Sequence, residues 1–341
     1  MQGFQKQTMT TVLLLALVAG CGSGAQEDSM FRQDKEALIE GEVMAVAYSG
    51  FREGQHPDRG DGAVNPSREE ILEDLQILVD AKFRLIRLYD AGENSRVTLE
   101  IIREHQLPIK VMLGLWLSAE LSNHEGCAWL TEPIADEVLA ANTEVNAAEV
   151  ERGIVLANRF QDIVAAVNVG NEALVDWNDH MMSVDGVIAY VRRVKSQIDQ
   201  PVTVAENYAW WIAEGQALAR ELDFVGVHTY PAWEGKTIDE GLAYTLENME
   251  GVHAALPHSR LAILEAGWAT TAEEFGEQAG EAQQQRYYRE LTDWARRTNT
   301  TVFWFEAFDE PWKGDPVRPL GAEKHWGLYF VDRTPKQVMG P

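Results

Sequence analysis

The sequence predicts an α/β protein that folds as a single-domain (β/α)8, or TIM, barrel. From about residue 42 onward, short apolar runs alternate with longer amphipathic stretches, the order typical of repeated strand–helix units. Eight apolar runs can be counted, and their near-continuous hydrophobicity fits parallel strands that are covered on both faces. Eight such units over about 300 residues match the usual size of this barrel.

The elements can be placed along the chain. The predicted strands cover residues 43–48, 85–89, 109–114, 163–169, 202–205, 224–227, 261–264 and 301–305. The predicted helices cover residues 67–81, 96–105, 147–160, 184–198, 238–255 and 281–297. At the first helix, Ser67 followed three residues later by Glu70 has the pattern of a capping box. A doubly wound sheet is the alternative, but the turn after the first strand lacks that fold's glycine-rich fingerprint.

The first 20 residues have the pattern of an export signal. Lys6 precedes an apolar run, 12–18, that is too short for a membrane span of about 20 residues. Ala19-Gly20-Cys21 is similar to a bacterial lipobox, which implies a lipid on Cys21 and an outer-membrane or cell-surface lipoprotein. The predicted division is a signal peptide at 1–20, a lipidated tether at 21–41 and the barrel at 42–341. A plain secretory peptide, giving a secreted or periplasmic protein, is the alternative.

Charge and composition narrow the classes of partner. The chain has 29 Lys and Arg against 54 Asp and Glu, a net charge of −25, which disfavours nucleic acid because phosphate binding depends on cationic side chains. A neutral ligand is indifferent to this charge, and 11 Trp and 9 Tyr offer faces for stacking on sugars. The sequence predicts a monomer without a cofactor. A metal-dependent hydrolase is disfavoured because only His228 closely follows a strand, where it is expected to form hydrogen bonds in the cleft.

Two glutamates stand at the ends of opposing strands. Glu172 follows the fourth strand and Glu265 ends the seventh, and in a barrel both ends lie at the same mouth. Hydrolysis of a glycosidic bond needs one protonated and one ionised carboxyl group. Asn171, next to Glu172, is a candidate for a hydrogen bond to the sugar 2-hydroxyl. The pair therefore predicts glycoside chemistry.

Several motifs strengthen this interpretation. The segments 169–172, 264–268, 305–313 and 323–328 resemble glycoside hydrolase family 17, the β-1,3-glucanases and glucanosyltransferases with a clan A barrel. The resemblance, to the bacterial type, implies that Glu172 is the general acid and base and Glu265 the nucleophile of a retaining reaction. It places Glu310, Lys313 and Glu323 around the nucleophile, with Lys313 helping to keep Glu265 ionised. Plant members carry Thr where this chain has Ala266.

The remaining site predictions concern substrate contacts and flanking groups. Aromatic residues follow many of the strands, Trp116 and Trp233 among them, and those chosen as sugar contacts are Tyr48, Tyr230 and Trp268. Asn171, Glu310 and Lys313 complete the predicted binding set, although Glu310 and Lys313 also have the spacing of a surface ion pair. Glu306 is expected either to face the cleft or to balance Arg87 inside the barrel. Cys127 is expected to be a buried thiol.

The resulting hypothesis is a retaining, laminarinase-like β-1,3-glucan hydrolase, most simply endo-acting. A β-1,3-glucanosyltransferase and an exo-acting glucanase use the same residues and are alternatives. A surface lipoprotein that binds glucan without catalysis is a further one. A long segment after the third strand, 116–146, is expected to wall the cleft.

Overall fold

Eight parallel strands close into a barrel in chain order, with β8 paired to β1. The computed structural model describes residue 32, residues 44–58 and residues 62–340. The signal peptide, Cys21 and all but one residue of the predicted tether lie outside these residues. Within the described part, no helix combines the length and the apolar character that crossing a membrane requires. The predicted barrel class is confirmed.

All eight predicted strands are present, with ends that differ from the prediction by no more than two residues. They are β1 (Met44–Ala47), β2 (Leu85–Arg87), β3 (Lys110–Leu115), β4 (Val164–Asn171), β5 (Val202–Asn207), β6 (Val225–His228), β7 (Leu261–Ala266) and β8 (Val302–Trp304). Most of their residues are buried on both faces, as parallel strands covered by helices require.

The helices surround this barrel. They are α1 (Arg68–Asp80), α2 (Glu93–Glu104), α3 (Asp136–Arg159), α4 (Val184–Lys195), α5 (Tyr208–Glu214), α6 (Gln216–Ala219), α7 (Gly241–Ala255) and α8 (Glu281–Thr298). The capping box of α1 is present, with Ser67 and Glu70 bonding each other's backbone amides. Helix α3 begins earlier than predicted, so the loop after β3 ends at residue 135. Helices α5 and α6 were not predicted, because seven and four residues are too short to show a helical period.

The core has two layers. One cluster fills the barrel and includes Ala45, Met112, Phe224, Leu264 and Phe303. A larger cluster lies between the strands and the helices. Toward the carboxyl ends of the strands the barrel interior changes from apolar to polar side chains, and this polar end positions the site.

An extra residue in β7 sets the direction of Glu265. Val227 of β6 pairs with Ile263, but the next residue, His228, pairs with Glu265, so Leu264 is bulged. Pairing with β8 shows the same extra residue. Side chains alternate along a regular strand, so without the bulge Glu265 would face the helices when Leu264 faces the barrel. The bulge allows Glu265 to follow Leu264 on the inner side.

A second irregularity precedes Glu172. In β4, Asn168 pairs with Thr203 of β5, and Asn171 pairs with Ala205, which again inserts one residue. Gly170 within this insertion has φ 86°, a left-handed conformation that glycine adopts without steric cost. Glu172 itself has φ 47°, which is uncommon for a residue with a side chain. The backbone turns sharply where the carboxyl group enters the mouth.

Candidate active site

Glu172 and Glu265 meet at the carboxyl ends of β4 and β7. His228 Nδ1 lies 3.0 Å from Glu172 Oε1 and 3.3 Å from Glu265 Oε2. These carboxylate oxygens are therefore no further apart than the sum of those two distances. A retaining pair stands about 5–5.5 Å apart, which this limit accommodates. The structure brings together the two residues that the sequence paired.

Glu265 is held by three donors from two strand ends, those of β2 and β6. Its Oε1 accepts hydrogen bonds from Arg87 Nη1 at 2.8 Å and from the Tyr89 hydroxyl at 2.9 Å. Its Oε2 accepts one from the Tyr230 hydroxyl at 2.7 Å. Burial would raise the pKa of this carboxyl, but His228, Arg87 and the two tyrosines hold it below its ordinary value. Glu265 is therefore held in its ionised form, the form in which a carboxylate can act as a nucleophile.

His228 lies between the two carboxylates and forms a hydrogen bond with Glu172. Arg87 Nη1 lies 3.2 Å from His228 Nε2, and a guanidinium group can only donate. Nδ1, on the other side of the ring, faces both glutamates. Arg87 Nη2 also donates to Asn171 Oδ1 at 2.5 Å. This bond uses the oxygen of the Asn171 side chain and not its NH2 group. The expectation that His228 forms hydrogen bonds in the cleft is confirmed.

Glu172 is the more accessible carboxylate of the pair. Its side chain is 19% exposed, compared with 7% for Glu265. The Asn178 amide donates to the Glu172 carbonyl at 3.0 Å, and His180 Nε2 lies 2.8 Å from the Asn171 carbonyl. The loop after β4 thus folds back, and its side chains hydrogen-bond the backbone of Asn171 and Glu172. A group that exchanges protons with substrate and water needs such access.

Lys313 is a half-buried residue at the barrel mouth. It forms ion pairs with Glu306 and, at 3.0 Å, with Glu310, which also accepts from Ser49 at 2.5 Å and from the Trp312 indole at 3.1 Å. Burial would lower the pKa of Lys313, but Glu306 and Glu310 raise it above its ordinary value.

Three interpretations of this cluster are corrected. Glu310 is 1% exposed, so Glu310 and Lys313 are not a surface pair. The cation bonded to Glu265 is Arg87, whereas Lys313 bonds Glu306 and Glu310. Glu306, also 1% exposed, therefore balances Lys313 instead of Arg87.

Glu323 lies close enough to the site for electrostatic interaction with it. Burial and the charges of Glu265 and Glu172 raise its pKa, and Lys313 partly offsets them. These electrostatic interactions with Lys313 and Glu265 are compatible with the predicted position of Glu323 near both residues.

Two of the three predicted aromatic contacts are wrong. Tyr48 is 1% exposed and packs edge-on against Phe308, and Trp268 is fully buried with its indole donating to the Gln278 carbonyl at 2.7 Å. Both lie in the cluster between strands and helices, because side-chain alternation after β1 and β7 points them outward. Tyr230, half-buried and bonded to Glu265, is in the site as predicted.

Exposed aromatic rings flank the two carboxylates instead. Trp116 is 38% exposed and rests on His180 with a centroid distance of 4.6 Å. Trp233 is 45% exposed and packs near Trp326, whose ring lies 5.2 Å from that of Tyr230. One ring is therefore linked to the Glu172 side and the other to the Glu265 side.

Arg87 is the main site residue that sequence reasoning did not assign. A charged side chain inside the apolar run 85–89 was the available signal, since a buried arginine requires a partner. Asn178 and His180 lie in a loop without a distinctive pattern. Cys127 is buried, as expected. Across the described residues, no group of three or more His, Cys, Asp or Glu is arranged to hold a metal ion.

Known proteins are similar to this chain over most of its length. A glucan 1,3-β-glucosidase of Arthroderma benhamiae is 26% identical over 267 residues, which cover 74% of this chain and 78% of that protein. A longer protein of Aspergillus niger, btgC, is 26% identical over 80% of this chain, which spans only 40% of it.

Solved structures are also similar. An endo-laminarinase from Formosa Hel1_33_131 superposes with a TM-score of 0.76 at 26% identity, over 88% of this chain and 87% of that one. A β-1,3-glucanosyltransferase of Rhizomucor miehei shares the fold, with a TM-score of 0.68 at 19% identity over 89% and 98%. The profile of the BtgE/BtgC glycoside hydrolase domain matches residues 45–327, most of the chain. The chain therefore belongs to the BtgE/BtgC glycoside hydrolase domain family.

Proposed function

We propose that the protein is a retaining β-1,3-glucan hydrolase of glycoside hydrolase family 17, laminarinase-like and endo-acting. The observation that carries this proposal is the carboxylate pair bridged by His228, with Glu265 held by Arg87, Tyr89 and Tyr230. The similarity to an endo-laminarinase and to a glucan 1,3-β-glucosidase supports the substrate class. The presence of both Glu172 and Glu265 favours an enzyme over a protein that only binds glucan.

The site geometry supports double displacement. Ionised Glu265 attacks the anomeric carbon while Glu172 gives its proton to the departing glycosidic oxygen, so one C–O bond forms as another breaks. The product is a glycosyl-enzyme. Glu172, now a carboxylate, takes a proton from water, and the resulting hydroxide equivalent displaces Glu265 and restores both groups. In this proposal the Asn171 amide donates a hydrogen bond to the sugar 2-hydroxyl.

Product analysis tests the proposal. The purified protein is incubated with laminarin and with short β-1,3-oligosaccharides, and product sizes are followed over time. A shrinking ladder of sizes is expected for endo-hydrolysis. Products longer than the starting oligosaccharide would instead identify a glucanosyltransferase, and one small product an exo-acting enzyme. If no β-glucan changes, or if Glu265→Ala releases as much reducing sugar as the parent, the proposal is wrong.

We also propose that the protein is exported and anchored by a lipid on Cys21, at the outer membrane or cell surface. The support is the apolar run 12–18 and the segment Ala19-Gly20-Cys21 that follows it. In a bacterial host supplied with labelled palmitate, the parent is expected to become labelled and to fractionate with membranes, and Cys21→Ser to lose both properties. Equal labelling of the two proteins would contradict the anchor.

A further inference from the structure

Glu206 is a buried carboxyl group that contacts the turn carrying Glu172. It lies near the end of β5, is 0% exposed, and accepts a hydrogen bond from the Leu174 amide at 2.9 Å through Oε1. Leu174 is two residues beyond Glu172. Val202 and Val204 of β5 belong to the cluster outside the barrel, so alternation places Glu206 on that outer side, away from the substrate.

The turn at Glu172 needs external support. Its φ of 47° is a sparsely populated conformation for a residue with a side chain, and such a conformation persists only where surrounding contacts fix it. The Glu172 amide donates to the Ala205 carbonyl at 2.8 Å. Ala205 and Glu206 are consecutive in β5. The end of β5 therefore holds the turn through two hydrogen bonds. The Ala205 carbonyl accepts from the amide of Glu172 itself, and the Glu206 side chain accepts from the amide of Leu174, two residues later.

The raised pKa of the Glu206 carboxyl is compatible with this supporting role. Its Oε2 forms no hydrogen bond within the described residues. Burial, and then the negative charge of Glu172, raise the pKa of Glu206 well above its ordinary value. A neutral carboxyl still accepts the Leu174 hydrogen bond through its carbonyl oxygen. It also places no second negative charge beside Glu172, which must gain and lose a proton in each catalytic cycle.

We propose that Glu206 is a positioning residue for the general acid, and that its hydrogen bond to the Leu174 amide fixes the turn from which Glu172 reaches the departing oxygen. This inference rests on the proposed glycosidase function. It has a specific kinetic consequence, because only a poor leaving group needs proton donation. Misplacing Glu172 should slow cleavage of a glucan and spare cleavage of a substrate whose leaving group departs unprotonated.

The test compares two substrates. Laminaripentaose has a sugar leaving group, and 2,4-dinitrophenyl β-laminaribioside releases a stable phenolate. For each variant, kcat/KM is measured, since it reports the steps up to formation of the glycosyl-enzyme. Glu206→Leu is expected to lose on the order of 10²-fold on laminaripentaose, the lower range for general acid catalysis, and only a few-fold on the aryl substrate. Glu206→Gln, uncharged and still an acceptor, should stay close to the parent on both.

Two further variants keep the test decisive. Glu206→Asp retains the acid but withdraws it from Leu174 by one methylene, and it should show the same selective loss if Glu206→Leu does not fold. Glu149→Leu is the matched control, because Glu149 is also a buried carboxyl, 4% exposed, that accepts a loop amide, from Ala91 at 2.5 Å. Its loss should affect both substrates by the same factor.

The outcomes separate the two proposals. Equal losses on both substrates for Glu206→Leu and Glu206→Asp, or a Glu206→Gln variant as impaired as Glu206→Leu, would overturn the positioning role while leaving the glycosidase function intact. A parent protein that cleaves neither substrate would overturn the proposed function itself.

Discussion

Removing the Tyr230 hydroxyl should change the pH at which the enzyme becomes active. In Tyr230→Phe, Glu265 Oε2 loses a 2.7 Å donor, while Arg87 and Tyr89 continue to bond Oε1. The pKa of Tyr230 is raised well above its ordinary value by burial, then by Glu265, so its hydroxyl is a neutral donor throughout the working pH range. The substitution removes one hydrogen bond and little volume.

The magnitude follows from the type of bond. A hydrogen bond to a charged group contributes about 1.5–3 kcal/mol, and one pKa unit corresponds to about 1.4 kcal/mol. The donor favours ionised Glu265, so its loss raises the Glu265 pKa by about one to two units. Activity requires the ionised form. The acidic limb of the kcat/KM profile should therefore move to higher pH by that amount.

The assay is the pH dependence of kcat/KM on an aryl β-laminaribioside between pH 3 and pH 8, values chosen to bracket an ordinary carboxyl pKa of about 4.3. Tyr190→Phe is the matched control, since the Tyr190 hydroxyl likewise donates to a carboxylate, that of Glu120, at 2.8 Å. Its profile should match that of the parent. An acidic limb in Tyr230→Phe that stays in place, or moves to lower pH, would refute the role assigned to this bond.

Three other substitutions test the scaffold and the cleft. Arg87→Met leaves buried Glu265 without its cation and should lower the free energy of unfolding by about 3 kcal/mol in urea titrations; a loss below about 1 kcal/mol would contradict the pairing. Gly226→Ala places Cβ 2.3 Å from Leu264 Cδ1, so it should disturb the β7 bulge, costing about 1–3 kcal/mol and lowering kcat; unchanged kcat would argue against this coupling. Trp233→Ala should raise KM for laminarin roughly three- to tenfold at constant kcat, through lost stacking; an unchanged KM would exclude Trp233 from the cleft.

The sequence was sufficient for the elements and their order. Apolar runs and helical periodicity are local properties, and they located all eight strands to within two residues. The order of strands in a βα barrel then places the fourth and seventh strand ends at one mouth, which brought Glu172 and Glu265 into a single hypothesis. Chain-local information also identified the capping box at Ser67.

The direction of each side chain was decided by the tertiary structure. Regular alternation assigns faces only while strand register is unbroken, and the bulges in β4 and β7 are set by pairing with neighbouring strands. Alternation also assigns faces only relative to one another, so the sequence could not tell that Tyr48 and Trp268 point into the layer between strands and helices. Two of the residues that hydrogen-bond Glu265, Arg87 and Tyr230, lie about 140 residues apart in the chain. Contacts over such separations depend on barrel closure, which no local pattern encodes.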